Sequence, residues 1–374
     1  MERKILLNPG PATTTDAVKQ AQVVPDICPR EKEFGDVMKE ISQDLLKIVH
    51  ADPNKYAAVL FCGSGTLCMD VSLNSLLPKD KKILIVNNGA YSSRGADICR
   101  AYDLPFIELK YSPIELPKIS DIDRVLSENP DIAVIYTTHQ ETGTGILNPI
   151  KEIGEISHKY GATFIVDTTS TYAMIPIDIE RENVDFCMAS AQKGIQGMTG
   201  LSFIIGDKKI IEESKNYPIR SYYCNLFAQY DYFEKNSQMR FTPPVQTIYA
   251  AREALKEYFA EGEQAKYKRH KRVINAIHKG AKDLGFEEIV PPKYQSGLVV
   301  ALKYPENENW DFNKIHDYCY ERGYTIYPGK MEEQKTFRLC ALGAIDEEDI
   351  LGFFKIFENG LKSLGMREEN CCER

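Results

Sequence analysis

The sequence predicts an α/β protein: a mostly parallel central sheet with helices on both faces, followed by a smaller C-terminal α+β domain. Three observations point there. Between about 56 and 205, short apolar runs rich in β-branched and aromatic residues alternate with helical patterns. Strand–helix–strand order of this kind builds parallel sheets buried on both faces. After about 240 the texture shifts to longer, more charged helices. The 374 residues are also enough for one large domain, or for two sharing an interface.

In chain order, "YAAVLF" (56–61), "KKILIVNN" (81–88), "DIAVIYTT" (131–138), "ATFIVDTT" (162–169), "VDFCMAS" (184–190) and "LSFIIG" (201–206) read as strands. The segment 66–77 places Leu73, Leu76 and Leu77 on one helix face. The segment 149–161 starts at Pro149 and stops at Gly161, the favoured asymmetry for a helix. Helices follow at 247–262 and on to about 284, then strands at 297–304 and 324–329 around a helix at 311–323, and a last helix at 347–365. The expected division is a large domain over 16–250 and a small one over 251–374. The segment 1–15 packs with the small domain.

The net charge of −8 gives no global attraction for nucleic acid or an anionic membrane. The basic run "KYKRHKR" (266–272) reads as a solvated helix face. The N-terminal apolar run is too short for a signal peptide, and none approaches a membrane span. The ten cysteines include no C-x-x-C pair, and several lie in apolar runs as small hydrophobes. Cys371 and Cys372 sit in a polar tail. No metal-ligand spacing is present among the six histidines, of which only His139 stands beside a candidate site. A reducing cytoplasm fits this usage.

In wound sheets, ligands bind beyond the carboxyl ends of strands. Gly63, Ser64, Gly65 and Thr66 form a tight turn into a helix N-terminus, an anion cradle. Tyr91 follows the second predicted strand, "HQETGTG" the third, and Asp167 ends the fourth. Gln192 and Lys193 follow the fifth, inside "MASAQKGIQGMTG" (188–200). Neither G-x-G-x-x-G after the first strand nor G-x-x-x-x-G-K-[ST] occurs. The parts together suit pyridoxal phosphate: a lysine for a Schiff base, an acid for the ring nitrogen, a stacking aromatic and a phosphate cradle. Glycines and small residues beside Lys193 are expected to let cofactor and substrate approach the backbone.

The pieces "NPGP", "CGSGT", "NNGAYSSR", "THQETGTG", "IVDTTSTYAMIPID", "SAQKGIQG", "RFTPP" and "IYPGK" resemble the class V aminotransferases of fold type I. Within these the chain is most similar to the branch acting on 2-aminoethylphosphonate and pyruvate. The resemblance implies a pyridoxal-phosphate transaminase fold and a ping-pong exchange of an amino group. It implies Lys193 as Schiff-base lysine and proton shuttle, Asp167 on the pyridine nitrogen and Tyr91 stacked on the ring. Ser64, Gly65, Thr66 and Gln192 would hold the phosphate, and Thr144 would approach the ring hydroxyl or phosphate side. Thr242 would reach the cofactor phosphate of a second subunit in a homodimer with shared sites. Arg338 would clamp the carboxylate of alanine or pyruvate.

The chain departs from that pattern in "FRLCALG" (337–343), where Ala341 replaces a polar Asn, in "DICPREKEF" (26–34), at Ser92, and in "ETGTG". Arg30, in place of an aromatic, is a second candidate cation for the phosphonate. Alternatives left open are alanine–glyoxylate or serine–pyruvate exchange, lyase or desulfurase chemistry with Cys340 as the nearest thiol, and a non-catalytic homologue.

Overall fold

The computed structural model describes residues 3–330 and 334–367. The Cys371–Cys372 pair lies outside them. The chain opens with β1 (Ile5–Leu6), α1 (Asp16–Gln20) and α2 (Lys32–Ile48). It continues through β2 (Tyr56–Gly63), α3 (Gly65–Leu76), β3 (Lys82–Asn87), α4 (Ala90–Ala101), β4 (Phe106–Lys110), α5 (Ile119–Glu128) and β5 (Ile132–Thr138). A short ribbon, β6 (Gln140–Glu141) and β7 (Ile146–Leu147), precedes α6 (Ile150–Lys159). Then come β8 (Thr163–Asp167), β9 (Phe186–Ser190), β10 (Gly200–Asp207), α7 (Lys208–Glu213), α8 (Leu226–Asn236), α9 (Val245–Glu261) and α10 (Glu263–Asp283). The last part holds β11 (Val299–Lys303), α11 (Phe312–Tyr320), β12 (Tyr324–Thr325), β13 (Tyr327–Pro328), β14 (Thr336–Cys340) and α12 (Glu347–Ser363).

The large sheet has seven strands in the order β2-β10-β9-β8-β5-β3-β4. Only β10 runs antiparallel to its neighbours; the other pairs are parallel. The strands are apolar on both sides because helices cover both faces. One face packs against α2, α5, α6 and α9, the other against α3, α4 and α8. In register, Thr138, Asp167 and Met188 lie side by side on β5, β8 and β9. Three carboxyl ends therefore open at one level, which sets the place of the site.

The small body has its own three-stranded sheet, β11-β14-β13, with α10, α11 and α12 around one core. β1 joins this body by pairing in parallel with β12, and Ile5 and Leu7 enter its core. The expected boundary at 250 falls inside α9, but α9 gives Ile248, Ala251, Leu255 and Tyr258 to the large core. The change of body comes at Gly262, whose φ of +80° breaks α9 from α10. A left-handed backbone suits glycine there.

The basic run on α10 also differs from expectation. Lys266 and His270 are buried, at 2% and 1% exposure, in line with Val273, Ile274 and Ile277. The i, i+4 spacing puts them on the inward stripe, and only the neighbouring cations face water.

Candidate active site

Beyond the strand ends lies a cavity of about 210 Å³. Ser64, Gly65, Thr66, Tyr91, Asp167, Gln192 and Lys193 all line it, so four loops and strand ends place the sequence-predicted residues around one space. Lys193 sits in the turn after β9. Burial pushes its amine down to about 8, with Arg338 and Arg94 adding to the effect and Asp167 opposing it. Such an amine is far more often neutral near pH 7–8 than an ordinary lysine, as a nucleophile and proton acceptor requires. Its Nζ lies 5.8 Å from the centroid of the Tyr91 ring.

Asp167 ends β8 at 7% exposure. Burial raises its pKa, while the Thr169 N–H, donating to Oδ1 at 2.8 Å, and the charges of Lys193 and Arg94 pull the other way. The carboxylate is thus held beside cations and is short of solvent. Ser64 starts α3, yet its side chain makes no capping bond; apart from the Leu67 N–H, which donates to the Ser64 carbonyl at 2.9 Å, the opening N–H groups of α3 stay free to meet an anion. A Cβ on Gly65 would sit 2.8 Å from Thr169 Oγ1; only glycine keeps that cradle open.

Glycines near Lys193 have a different task from the expected one. A Cβ on Gly194 would collide with the Tyr172 carbonyl oxygen, so this glycine seats the lysine turn on the backbone after β8. The residue that makes room for the lysine side chain is Gly10, in "NPGP": a Cβ there would lie 2.9 Å from Lys193 Cε. The N-terminal segment is held at this place by Ala12 N–H donating to the Gln192 carbonyl at 2.8 Å.

Two residues of the site were not singled out by sequence. Glu141, fully buried in β6, accepts from the N–H groups of Tyr91 at 3.0 Å and Ser92 at 2.6 Å, at the N-terminus of α4. This internal carboxylate caps the helix and fixes the start of the segment that carries Tyr91. Burial raises its pKa, and those N–H donors oppose the rise. Arg94 lies one helical turn on, its guanidinium 5.1 Å from the Tyr91 ring, and donates to Thr66 Oγ1 at 3.0 Å. The run "GAYSSR", with cation three residues after aromatic, was the available signal for it.

Other predicted residues stand off the cavity wall. Arg338, on β14, is 2% exposed; it donates to the Pro328 carbonyl from Nε at 3.1 Å and Nη2 at 3.0 Å, and to the Thr142 carbonyl at 3.0 Å. Thr142 itself lines the cavity. Thr144 is buried in the turn of the β6–β7 ribbon. Thr242 is exposed, outside its own chain's cavity. Arg30 donates to the carbonyls of Met239 at 2.6 Å and Arg240 at 3.2 Å, so it pins the segment leading to Thr242 and does not face the cavity. His139 binds Thr171 Oγ1 at 2.9 Å, and burial lowers its pKa to about 4; it is a neutral internal strut.

The cavity fits pyridoxal phosphate on its own evidence. Thr169 Oγ1, Ser190 Oγ and Gln192 Oε1 are buried on its wall with no hydrogen-bond partner among the described residues. With the open end of α3 they offer polar groups to an anion, and Tyr91 and Asp167 line the same space.

The comparisons agree. Residues 17–326 match the family model "Aminotransferase class-V". The chain is 34% identical to a 2-aminoethylphosphonate–pyruvate transaminase of Lysinibacillus sphaericus, over 95% of this chain and 96% of that one. It is 33% identical to one of Phocaeicola vulgatus, over 93% and 96%. A bifunctional phosphonoacetaldehyde hydrolase/aminoethylphosphonate transaminase of Clostridioides difficile is 35% identical over 92% of this chain, which spans only 54% of that longer protein. In fold, it superposes on ureidoglycine–glyoxylate aminotransferase of Bacillus subtilis with a TM-score of 0.90 at 20% identity, covering 99% and 96%. An alanine–glyoxylate aminotransferase of Nostoc gives 0.89 at 22%, covering 97% and 96%. The chain belongs to the class V aminotransferases, enzymes that move amino groups with pyridoxal phosphate.

Proposed function

We propose that this protein exchanges the amino group between 2-aminoethylphosphonate and pyruvate, giving phosphonoacetaldehyde and alanine or the reverse. The observation that carries this reading is the near full-length likeness, at 32–34% identity, to proteins named for that reaction in several bacteria. The charge of the site supports it: Arg94 and Lys330 lie by Tyr91 and Arg338 acts on Lys330 through its charge, with no carboxylate ion pair to any of the three among the described residues, as anionic substrates require.

Pyridoxal phosphate, when bound, supplies an electron sink that stabilises the carbanion left when a proton leaves the amine-bearing carbon. The chain's own residues do the rest. Lys193 Nζ, neutral above about pH 8, takes that proton and returns it. Asp167, buried on the cavity wall, would hold the ring nitrogen of the bound cofactor and favour its protonated form. Tyr91 is kept in place by the N–H contacts of its segment to Glu141. Arg338, immobilised by backbone carbonyls, offers its remaining donors to a carboxylate.

Desulfurase chemistry has no support here. Cys340 lies inside β14, fully buried, and burial pushes its thiol up to about 12. A homodimer with shared sites is part of the proposal. Exposed Thr242 follows Phe241, whose ring stacks on Tyr223 at 4.7 Å; the same patch exposes Tyr222 and Ile219. A cytoplasmic place is proposed as well: the described cysteines are free thiols, and no described helix is long and apolar enough to cross a membrane.

The test uses cofactor-loaded protein and 2-aminoethylphosphonate without any 2-oxo acid. Loss of the visible cofactor band, with phosphonoacetaldehyde formed in one equivalent, is the expected result. An unchanged band, with alanine still bleaching it, would keep the transaminase and remove the phosphonate.

A further inference from the structure

Three charged groups face one aromatic ring. Lys193 Nζ, Arg94 Cζ and Lys330 Nζ lie 5.8, 5.1 and 5.4 Å from the Tyr91 centroid. Two of the neighbouring cations have clear occupations. Arg94 reaches Thr66 at the phosphate cradle. Arg338 is locked by three hydrogen bonds to two carbonyls, those of Pro328 and Thr142. Lys330 has neither tie: among the described residues its ammonium has no hydrogen-bond or ion-pair partner, and it stands exposed on the rim just after β13. Its pKa is lowered by partial burial and by the charges of Arg94 and Arg338, which places all three in one field.

The two substrates set different distances. In alanine the carboxylate is bonded to the carbon that carries the amine. In 2-aminoethylphosphonate a methylene separates that carbon from phosphorus. With the amine-bearing carbon held over Lys193, the two anions cannot occupy one point. A guanidinium fixed by backbone carbonyls does not move between them. The phosphonate also carries up to two charges against one for a carboxylate, so a single cation leaves it undercompensated. A lysine on a flexible four-carbon stem can close on the farther and larger group and swing clear for the nearer one.

We propose that Lys330 recognises the phosphonate of the amino donor, as a mobile second cation beyond Arg338, and takes little part in binding the 2-oxo acid. This rests on the donor assignment above. Lys330 then decides between substrates by charge and reach, and a donor with a carboxylate on the reacting carbon has no use for it.

The experiment is steady-state kinetics of the holoenzyme with 2-aminoethylphosphonate and pyruvate, in wild type, Lys330→Met and Lys330→Arg. In Lys330→Met, KM for 2-aminoethylphosphonate rises roughly tenfold, the worth of one charged hydrogen bond. KM for pyruvate stays within about twofold, below the energy of such a contact. Lys330→Arg recovers most of the loss. An unchanged KM for the phosphonate in Lys330→Met overturns the assignment, and so does an equal rise for both substrates. Wild type that turns over alanine but not 2-aminoethylphosphonate overturns the donor reading itself, and Lys330 as phosphonate residue falls with it.

Discussion

The ammonium of Lys266 donates to the carbonyl of Gly194 at 2.7 Å, one residue beyond Lys193. A buried cation on the first helix of the small body is thereby tied to the turn that carries Lys193. Burial drives Lys266 down to about 7 and Lys193 to about 8, against 10.5 for either amine in water. Below pH 7 both amines are charged whether folded or not, and the folded chain bears the full cost of burying them. As pH rises through 7 and 8, the folded protein gives up protons that the unfolded chain keeps, so stability increases with pH. These two amines raise the melting temperature of the cofactor-free protein from pH 7 to 9, while buried thiols such as Cys340, held near 12, work the other way. Lys266→Met keeps the thiols and Lys193, so its slope over that range should fall below the wild-type slope by the Lys266 share. An undiminished slope in the variant would show that Lys266 does not titrate there.

Glu141→Ala leaves the Tyr91 and Ser92 N–H groups without their acceptor. Stranding buried donors costs about 1–3 kcal/mol each. The melting temperature should fall, and less cofactor should survive gel filtration because Tyr91 is no longer held. A normal cofactor content would mean that Tyr91 is oriented by something else.

Gly194→Ala puts a methyl against the Tyr172 carbonyl. Overpacking of this kind costs about 1–3 kcal/mol, and the strain falls on the Lys193 turn. Turnover should drop well beyond the loss of folded protein. Gly285→Ala is the control: its φ is +79° with open space around, so it strains the backbone far from the site and should leave kcat alone.

Arg30→Ala removes the donors that hold the Met239 and Arg240 carbonyls. Its exposed setting limits the stability loss to about 1 kcal/mol. Hydrogen exchange should quicken over 238–242, with KM for 2-aminoethylphosphonate unchanged. A raised KM would return Arg30 to the substrate.

Strand ends were the readable part of this site. Asp167, Lys193, Tyr91 and the Ser64–Thr66 turn each follow an apolar run whose length and composition mark a buried strand, and a parallel sheet brings such ends together. Glu141 was not readable: its acceptor role exists only because the β6–β7 ribbon folds back onto the start of α4. Lys266 looked like one more cation in a charged run, and only the packing of α10 turns that stripe inward. The glycines were seen, but what each one touches depends on chain crossings that no local pattern records.

The fold was legible in the same measure. Runs with β-branched cores were found within a residue or two of their limits, as 201–206 against Gly200–Asp207 shows. The strand Phe106–Lys110 escaped notice because it is a half-exposed edge, with Glu108 and Lys110 diluting its apolar content. The boundary near 250 was read from composition, and α9 and α10 follow one another with little change in it, whereas their packing partners differ.

The pairing of Ile5–Leu6 with Tyr324–Thr325 also bears on how the chain reaches this state. Ile5–Leu6 leaves the ribosome long before Tyr324–Thr325, the strand it pairs with, has been made. Until then the small body lacks a strand, Gly10 is not seated against Lys193, and apolar Ile5 and Leu7 are uncovered. The large sheet, closed by residue 207, can form earlier as a unit. Assembly of the cavity is therefore a late event in biosynthesis, and a nascent chain stalled before residue 324 holds Lys193 without the wall that encloses it.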